Sequence, residues 1–223
     1  MRALRIFLCV LCVEKFNRRD RQVRRENGRE EKTSEMTKAE LRKSYLQKRL
    51  AVTEADCLNY SRQICEHFFL NFDLSFLNVI HLYLPIEKNK EPDTWLILDR
   101  VRREFPTVRI SVPRVKDNRL ENIFFEDLHQ LEKNAWGILE PKQGVPTPIE
   151  KIDLVIVPLL AIDQIGHRVG YGKGFYDRFL KECKPDCKKV GLSFFEPVEK
   201  ITDSEEYDVA LTHCITPYQL HKF

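Results

Sequence analysis

Apolar residues fall along this chain in two rhythms: short apolar-rich runs closed by proline, and longer stretches with apolar positions three or four apart. The runs predict buried strands and the stretches predict amphipathic helices. Leu77 to Leu84 is the first run, ended by Pro85. Val108 to Val112 is the second, stopped by Pro113, and Leu154 to Val157 the third, closed by Pro158. Asn122 to Glu126 and Val190 to Phe194 read as further strands. Thr37 with Glu40 is a capping-box pattern, opening a helix with Leu41, Tyr45 and Leu46 on one face. Thr53 with Asp56 starts a second helix, with Leu58, Cys65, Phe68 and Phe69 as core candidates. Asp93 to Glu104 and Phe175 to Cys183 are helical too, and Trp136 begins a turn through Pro141. Strands alternating with helices predict an α/β fold, a three-layer α/β/α domain on a mainly parallel, Rossmann-like sheet. In such a sheet, ligands sit beyond the carboxyl ends of the strands.

Composition supports one core and divides the chain at its start. With 223 residues and 43% hydrophobic content, a single sizeable core can form. The first 36 residues hold ten Lys or Arg against six Asp or Glu, and the remainder is close to neutral at about −1. We therefore read residues 1–35 as a basic, disordered extension and 36–223 as one domain, with Met36-Thr37-Lys38 a natural beginning. The short apolar run that follows a positive end within Met1 to Val13 is too short to span a bilayer, and no small-residue cleavage site follows it. Arginines at 18, 19, 21, 24, 25 and 29 leave a nucleic-acid arm open, but interspersed glutamates disfavour it. Seven cysteines without framework spacing point to reduced thiols in a cytoplasmic protein, with Cys183 and Cys187 packing at a helix end.

The densest chemistry lies in Arg168-Val169-Gly170-Tyr171-Gly172-Lys173-Gly174-Phe175-Tyr176-Asp177, directly after the third apolar run. Strand, glycine loop and helix N-terminus together make an anion site, because unpaired backbone N–H groups face the loop's occupant. Glycines permit positive φ and close approach of a phosphate. Arg168 supplies a planar fork and Lys173 a point charge, while Asp177, one turn into the helix, suits a hard cation bridged to phosphate oxygens. The G-x-G-x-G spacing fits neither common nucleotide fingerprint. From the residues alone, a glycine-rich turn with solvated cations stays open, as does a solvated helix face for Lys38 and Arg42.

Val157-Pro158-Leu159-Leu160-Ala161-Ile162-Asp163-Gln164-Ile165-Gly166-His167, continuing through the glycine loop to Leu180, resembles the signature of the 5-formyltetrahydrofolate cyclo-ligase family, also called 5,10-methenyltetrahydrofolate synthetases. The resemblance covers roughly residues 37–217, with Lys38-x-x-Leu41-Arg42, Leu82 to Glu87, Val112-Pro113-Arg114 and Glu206 to Thr216 matching further segments. It implies ATP- and Mg²⁺-dependent closure of 5-formyltetrahydrofolate, possessing or lacking a polyglutamate tail, by a cytoplasmic enzyme for which a monomer is favoured and no membrane partner is expected. ATP contacts are implied for Lys38, Arg42, Arg168, Val169, Gly170, Tyr171, Gly172, Lys173, Gly174, Phe175 and Tyr176. Folate contacts are implied for Leu82, Glu87 and residues Tyr171, Gly172, Lys173, Gly174 and Phe175. Arg168 and Lys173 take the catalytic roles, and Asp177 and Asp208 hold Mg²⁺. The chain departs from the pattern at Tyr207, Ala210 and Thr212, where the family has His, Pro and Asp, and at Tyr171, a basic residue in some relatives. Two other classes remain open: an ATP-dependent enzyme of this fold acting on another anion, and a non-catalytic binding relative.

Overall fold

The computed structural model describes residues 36–134 and 137–223. The basic extension and Trp136 lie outside the described residues.

Helix α1 (Lys38–Ala51) starts with the capping box anticipated from Thr37 and Glu40, and α2 (Glu54–Asn71) starts with Thr53 accepting from Asp56 N–H. The chain then enters β1 (Val79–His81), α3 (Trp95–Glu104), β2 (Arg109–Lys116) and β3 (Arg119–Phe124). A hairpin of β4 (Leu131–Lys133) and β5 (Leu139–Pro141) precedes β6 (Leu154–Val157). After β6 come a second hairpin, β7 (Ala161–Ile162) with β8 (Arg168–Val169), then α4 (Phe175–Glu182), β9 (Lys188–Leu192), β10 (His213–Ile215) and β11 (Leu220–Lys222). The main sheet has seven strands in the order β11-β10-β9-β6-β1-β2-β3. Its five central strands are parallel, and β3 and β11 close the two edges antiparallel. This is the expected α/β architecture.

Strand periodicity builds the layers. On β6, Leu154 and Ile156 face the core containing Ile64 and Phe68 of α2 and Ile97, Leu98 and Val101 of α3. Val155 and Val157 face the other way, onto Phe179 and Leu180 of α4. Every residue of β6 is buried, as a strand covered on both faces requires. The order of strands reverses between β1 and β6, so the crevice beyond their carboxyl ends is the switch point where such folds take ligands.

Several strand limits differ from expectation. Pro113 does not stop β2, which runs on to Lys116. Ile110 O accepts from Phe125 N and Ser111 O from Leu82 N, so the backbone of residue 113 faces the side that β1 vacates after His81. There the missing proline donor costs nothing. The run Leu77–Leu84 forms a ladder only over Val79–His81, while Leu82 to Leu84 remain buried as the chain leaves the sheet. Strand β3 begins earlier than expected, paired residue for residue with β2, and β9 occupies Lys188–Leu192. The glycine loop follows β8 and not β6 directly. Asp163 creates this inserted hairpin, its Oδ1 accepting from the N–H groups of Ile165 and His167 and its Oδ2 from Ile201 N–H.

Candidate functional site

The glycine loop lies between β8 and α4 with Gly172 at φ +84° and Gly174, the residue capping α4, at φ +65°. Both conformations favour glycine. No described residue accepts a hydrogen bond from the N–H groups of residues 171–174, so these donors stand open at a helix N-terminus. Lys173 is exposed, and its ammonium has no partner among the described residues.

Helix α1 lays a cationic stripe against this loop. Arg42 Nε donates to Gly170 O at 2.9 Å, and its guanidinium lies 3.4 Å from where a Cβ at Gly172 would stand. One turn earlier, Lys38 pairs with Asp208. The second ion pair is Arg168 Nη2 to Asp177 Oδ1 at 2.7 Å, with Asp177 Oδ1 also accepting from Val209 N–H at 3.2 Å. Arg168 is nearly buried and donates to Val209 O as well, which ties the Asp208 segment to the start of α4. Burial lowers the affinity of Arg168 for its proton, and the charges of Asp177 and then Asp208 oppose this. For Asp208, burial raises the carboxyl, but Glu205 N–H and the Lys38 ammonium outweigh it and hold the group below its ordinary value. The two carboxylates thus share one cationic neighbour. No cluster of three acidic, His or Cys side chains suited to a metal occurs among the described residues. Two carboxylates fit a Mg²⁺ that brings phosphate oxygens and water with it, and do not make an all-protein cage.

Opposite the loop lies a buried polar group that sequence reasoning missed. Glu91 is buried, with Oε1 accepting from Tyr171 Oη at 2.5 Å and Oε2 from Ile86 N at 2.7 Å. Burial raises its carboxyl, against the hydrogen bonds from Tyr171 and Ile86 and the charge of Arg49. The Tyr171 phenol is raised in turn by burial and by Glu91. Arg49, also buried, donates to Tyr171 Oη, Asn89 O and Leu159 O. At the carboxyl end of β1, His81 packs its ring 4.8 Å from Phe179 and approaches Tyr176 Oη at 3.4 Å. Burial pushes the His81 imidazole down to about 3, so it is neutral.

The structure brings Lys38, Arg42, Arg168, Asp177, Asp208 and the loop from Val169 to Tyr176 to one end of the sheet. It separates the two residues expected on the folate side. Leu82 has no exposed surface and belongs to the core, donating its N–H to Ser111 O. Glu87 stands exposed at the start of a 3₁₀ turn (Glu87–Asn89), and the carboxylate turned inward is Glu91. A faint signal existed for Arg49: it lies eleven residues after Lys38 and seven after Arg42, on the same stripe of a 3.6-residue helix. Cavities of about 440 and 420 Å³ lie elsewhere, lined by residues such as His221 and Phe223 or Tyr60 and Phe194, and include no residue of the glycine loop. Convergent charge, and not cavity size, marks the site.

Comparison with known proteins agrees on one family. The model of the 5-formyltetrahydrofolate cyclo-ligase family matches residues 34–217. A 5-formyltetrahydrofolate cyclo-ligase of Escherichia coli is 34% identical over 116 residues, covering 49% of this chain and 63% of the relative's length. One from Mycoplasma pneumoniae is 28% identical over 166 residues, covering 71% of this chain and 86% of its own. Among solved structures, the 5,10-methenyltetrahydrofolate synthetase of Aquifex aeolicus superposes with a TM-score of 0.73 at 29% identity, over 84% of this chain and 93% of that one. A Mycoplasma pneumoniae synthetase shares the fold, with a TM-score of 0.64 at 22% identity.

Proposed function

The chain belongs to the 5-formyltetrahydrofolate cyclo-ligase family, and from that premise we propose that it converts 5-formyltetrahydrofolate and ATP to 5,10-methenyltetrahydrofolate, ADP and phosphate. The observation that carries this reading is the meeting of the α1 cations with an open-donor glycine loop and two carboxylates beside a switch-point crevice.

A formyl group on N5 is an amide, whose carbon is a weak electrophile and whose oxygen leaves poorly. Transfer of the γ-phosphoryl to that oxygen breaks the β–γ anhydride bond and makes the oxygen a phosphate leaving group. N10 of the same folate then attacks the formyl carbon, the carbon–oxygen bond breaks with its electron pair going to the departing phosphate, the N10 proton is given up to that phosphate, and the ring closes as the methenyl cation. Such transfer depends on alignment and on charge stabilisation more than on covalent help. Lys173, Arg42, Lys38 and Arg168 serve the triphosphate, and the N–H groups of residues 171–174 cradle it. Asp177 and Asp208 would hold Mg²⁺, which neutralises charge on the phosphate oxygens when bound. The ion pairs of Lys38 and Arg168 keep the site near neutrality, placing both cations where a triphosphate competes for them. On the folate side, Glu91 takes the role sequence reasoning gave Glu87, because a buried carboxylate suits the donor-rich edge of a pterin. No helix among the described residues is long and apolar enough to cross a membrane.

The test mixes the purified chain with 5-formyltetrahydrofolate and Mg-ATP and follows the near-ultraviolet absorbance of the methenyl product. Growth of that band only when ATP is present is the expected result. A flat trace from folded protein that still binds ATP would move the activity to another anionic substrate.

A further inference from the structure

We infer that Arg49 is a positioning residue that couples the nucleotide loop to the substrate loop through the Tyr171 hydroxyl and the Glu91 carboxylate. The inference rests on the functional reading above and adds to it a dependence of each ligand's binding on the other.

Arg49 is 3% exposed and makes no direct ion pair among the described residues. Its guanidinium instead spans three separate segments at the carboxyl end of the sheet. Nε donates to Asn89 O at 2.8 Å in the turn after β1, Nη1 to Leu159 O at 3.0 Å after β6, and Nη2 to Tyr171 Oη in the glycine loop. Tyr171 passes the contact on to Glu91, whose second oxygen holds Ile86 N–H. A second tie runs the same way, from Lys90 Nζ to Val52 O at the end of α1. Burying a guanidinium is costly unless all its donors are satisfied, and a rigid planar fork meets three fixed acceptors where a lysine could not.

The placement of these bonds speaks for coupling and not for stability alone. Tyr171 sits between Gly170 and Gly172, and Arg42 of the same helix holds Gly170 O, so α1 holds two adjacent residues at the start of the glycine loop. Glu91 and Asn89 belong to the segment that the functional reading sets against the folate, so one residue anchors both that segment and the glycine loop. A ligand that orders either loop therefore lowers the ordering cost for the other, which appears as positive cooperativity between sites.

Calorimetric titration of the full chain with 5-formyltetrahydrofolate, with and without magnesium and a non-hydrolysable ATP analogue, tests this. The wild type is expected to bind the folate on the order of 10-fold tighter when the analogue is present. Tyr171→Phe, which keeps the ring and removes the hydroxyl, is expected to bring that ratio close to one, and Arg49→Lys to lower it as well. A purely structural role would change the amount of folded protein and leave the ratio intact. Wild-type coupling retained in Tyr171→Phe would overturn the inference, as would a wild type that binds both ligands independently. A wild type that binds neither would overturn the functional reading with it.

Discussion

The two ends of the central sheet use the same residue types to opposite effect. At the amino ends of β1 and β6, Asp153 accepts from Asn78 N–H and Val79 N–H and, at 2.6 Å, from Lys184 Nζ. Every partner is local scaffold, and the carboxylate completes donors that the strand starts leave open. At the carboxyl ends, Asp177 and Asp208 also pair with cations, but those cations come from β8 and α1, and the neighbouring loop donors stay unfilled. The difference is that the carboxyl-end pairs stand beside backbone donors left unsatisfied, where the proposed phosphate site lies, and the amino-end pair does not. Parallel strands impose this asymmetry, since the helices that follow them turn their electropositive N-termini toward the carboxyl end.

Substitutions at each end should separate these roles. Lys173→Ala removes an exposed, unpaired ammonium, so turnover in the absorbance assay should fall roughly 100- to 1,000-fold while denaturant unfolding changes by less than about 0.5 kcal/mol. Near-normal turnover would strip Lys173 of its role and blur the contrast. Asp153→Ala should do the reverse, costing about 2–3 kcal/mol of stability in urea unfolding by orphaning N–H groups and Lys184, with turnover per folded molecule retained. Burial raises the Asp153 carboxyl, but Lys184 and the two N–H groups outweigh it, so its folded value lies below the unfolded one. Its stabilisation is thus present above about pH 4 and lost as pH falls through the depressed folded value, a loss that Asp153→Asn should remove from the acid limb. The smallest effect belongs to Gly174→Ala, which forces a Cβ onto φ +65° and within 3.1 Å of Arg178 Nη1. About 1 kcal/mol of stability should be lost, with a modest rise in KM for ATP.

Legibility in the sequence followed the range of the interactions involved. Thr37 and Glu40 announce a helix start because both capping bonds span three residues. Leu154 to Val157 announces a strand covered on both faces because all four positions are apolar. The same reasoning misjudged Pro113, since whether a proline ends a strand depends on which neighbour its nitrogen faces. It singled out Glu87 and had no means to notice Glu91, because which carboxylate the chain turns inward is set only by the fold.

Periodicity, caps and the glycine-rich motif were enough to determine an α/β domain, its family resemblance and the segment that carries an anion site, because each signal is written in a short stretch of neighbouring residues. Only the tertiary structure decided that Arg49 crosses to Tyr171, that Lys38 meets Asp208 and that Glu91 is the buried acid. Those partners lie 122 and 170 residues apart for the first two pairs, and no local preference can select a contact that exists only once the sheet has ordered its strands.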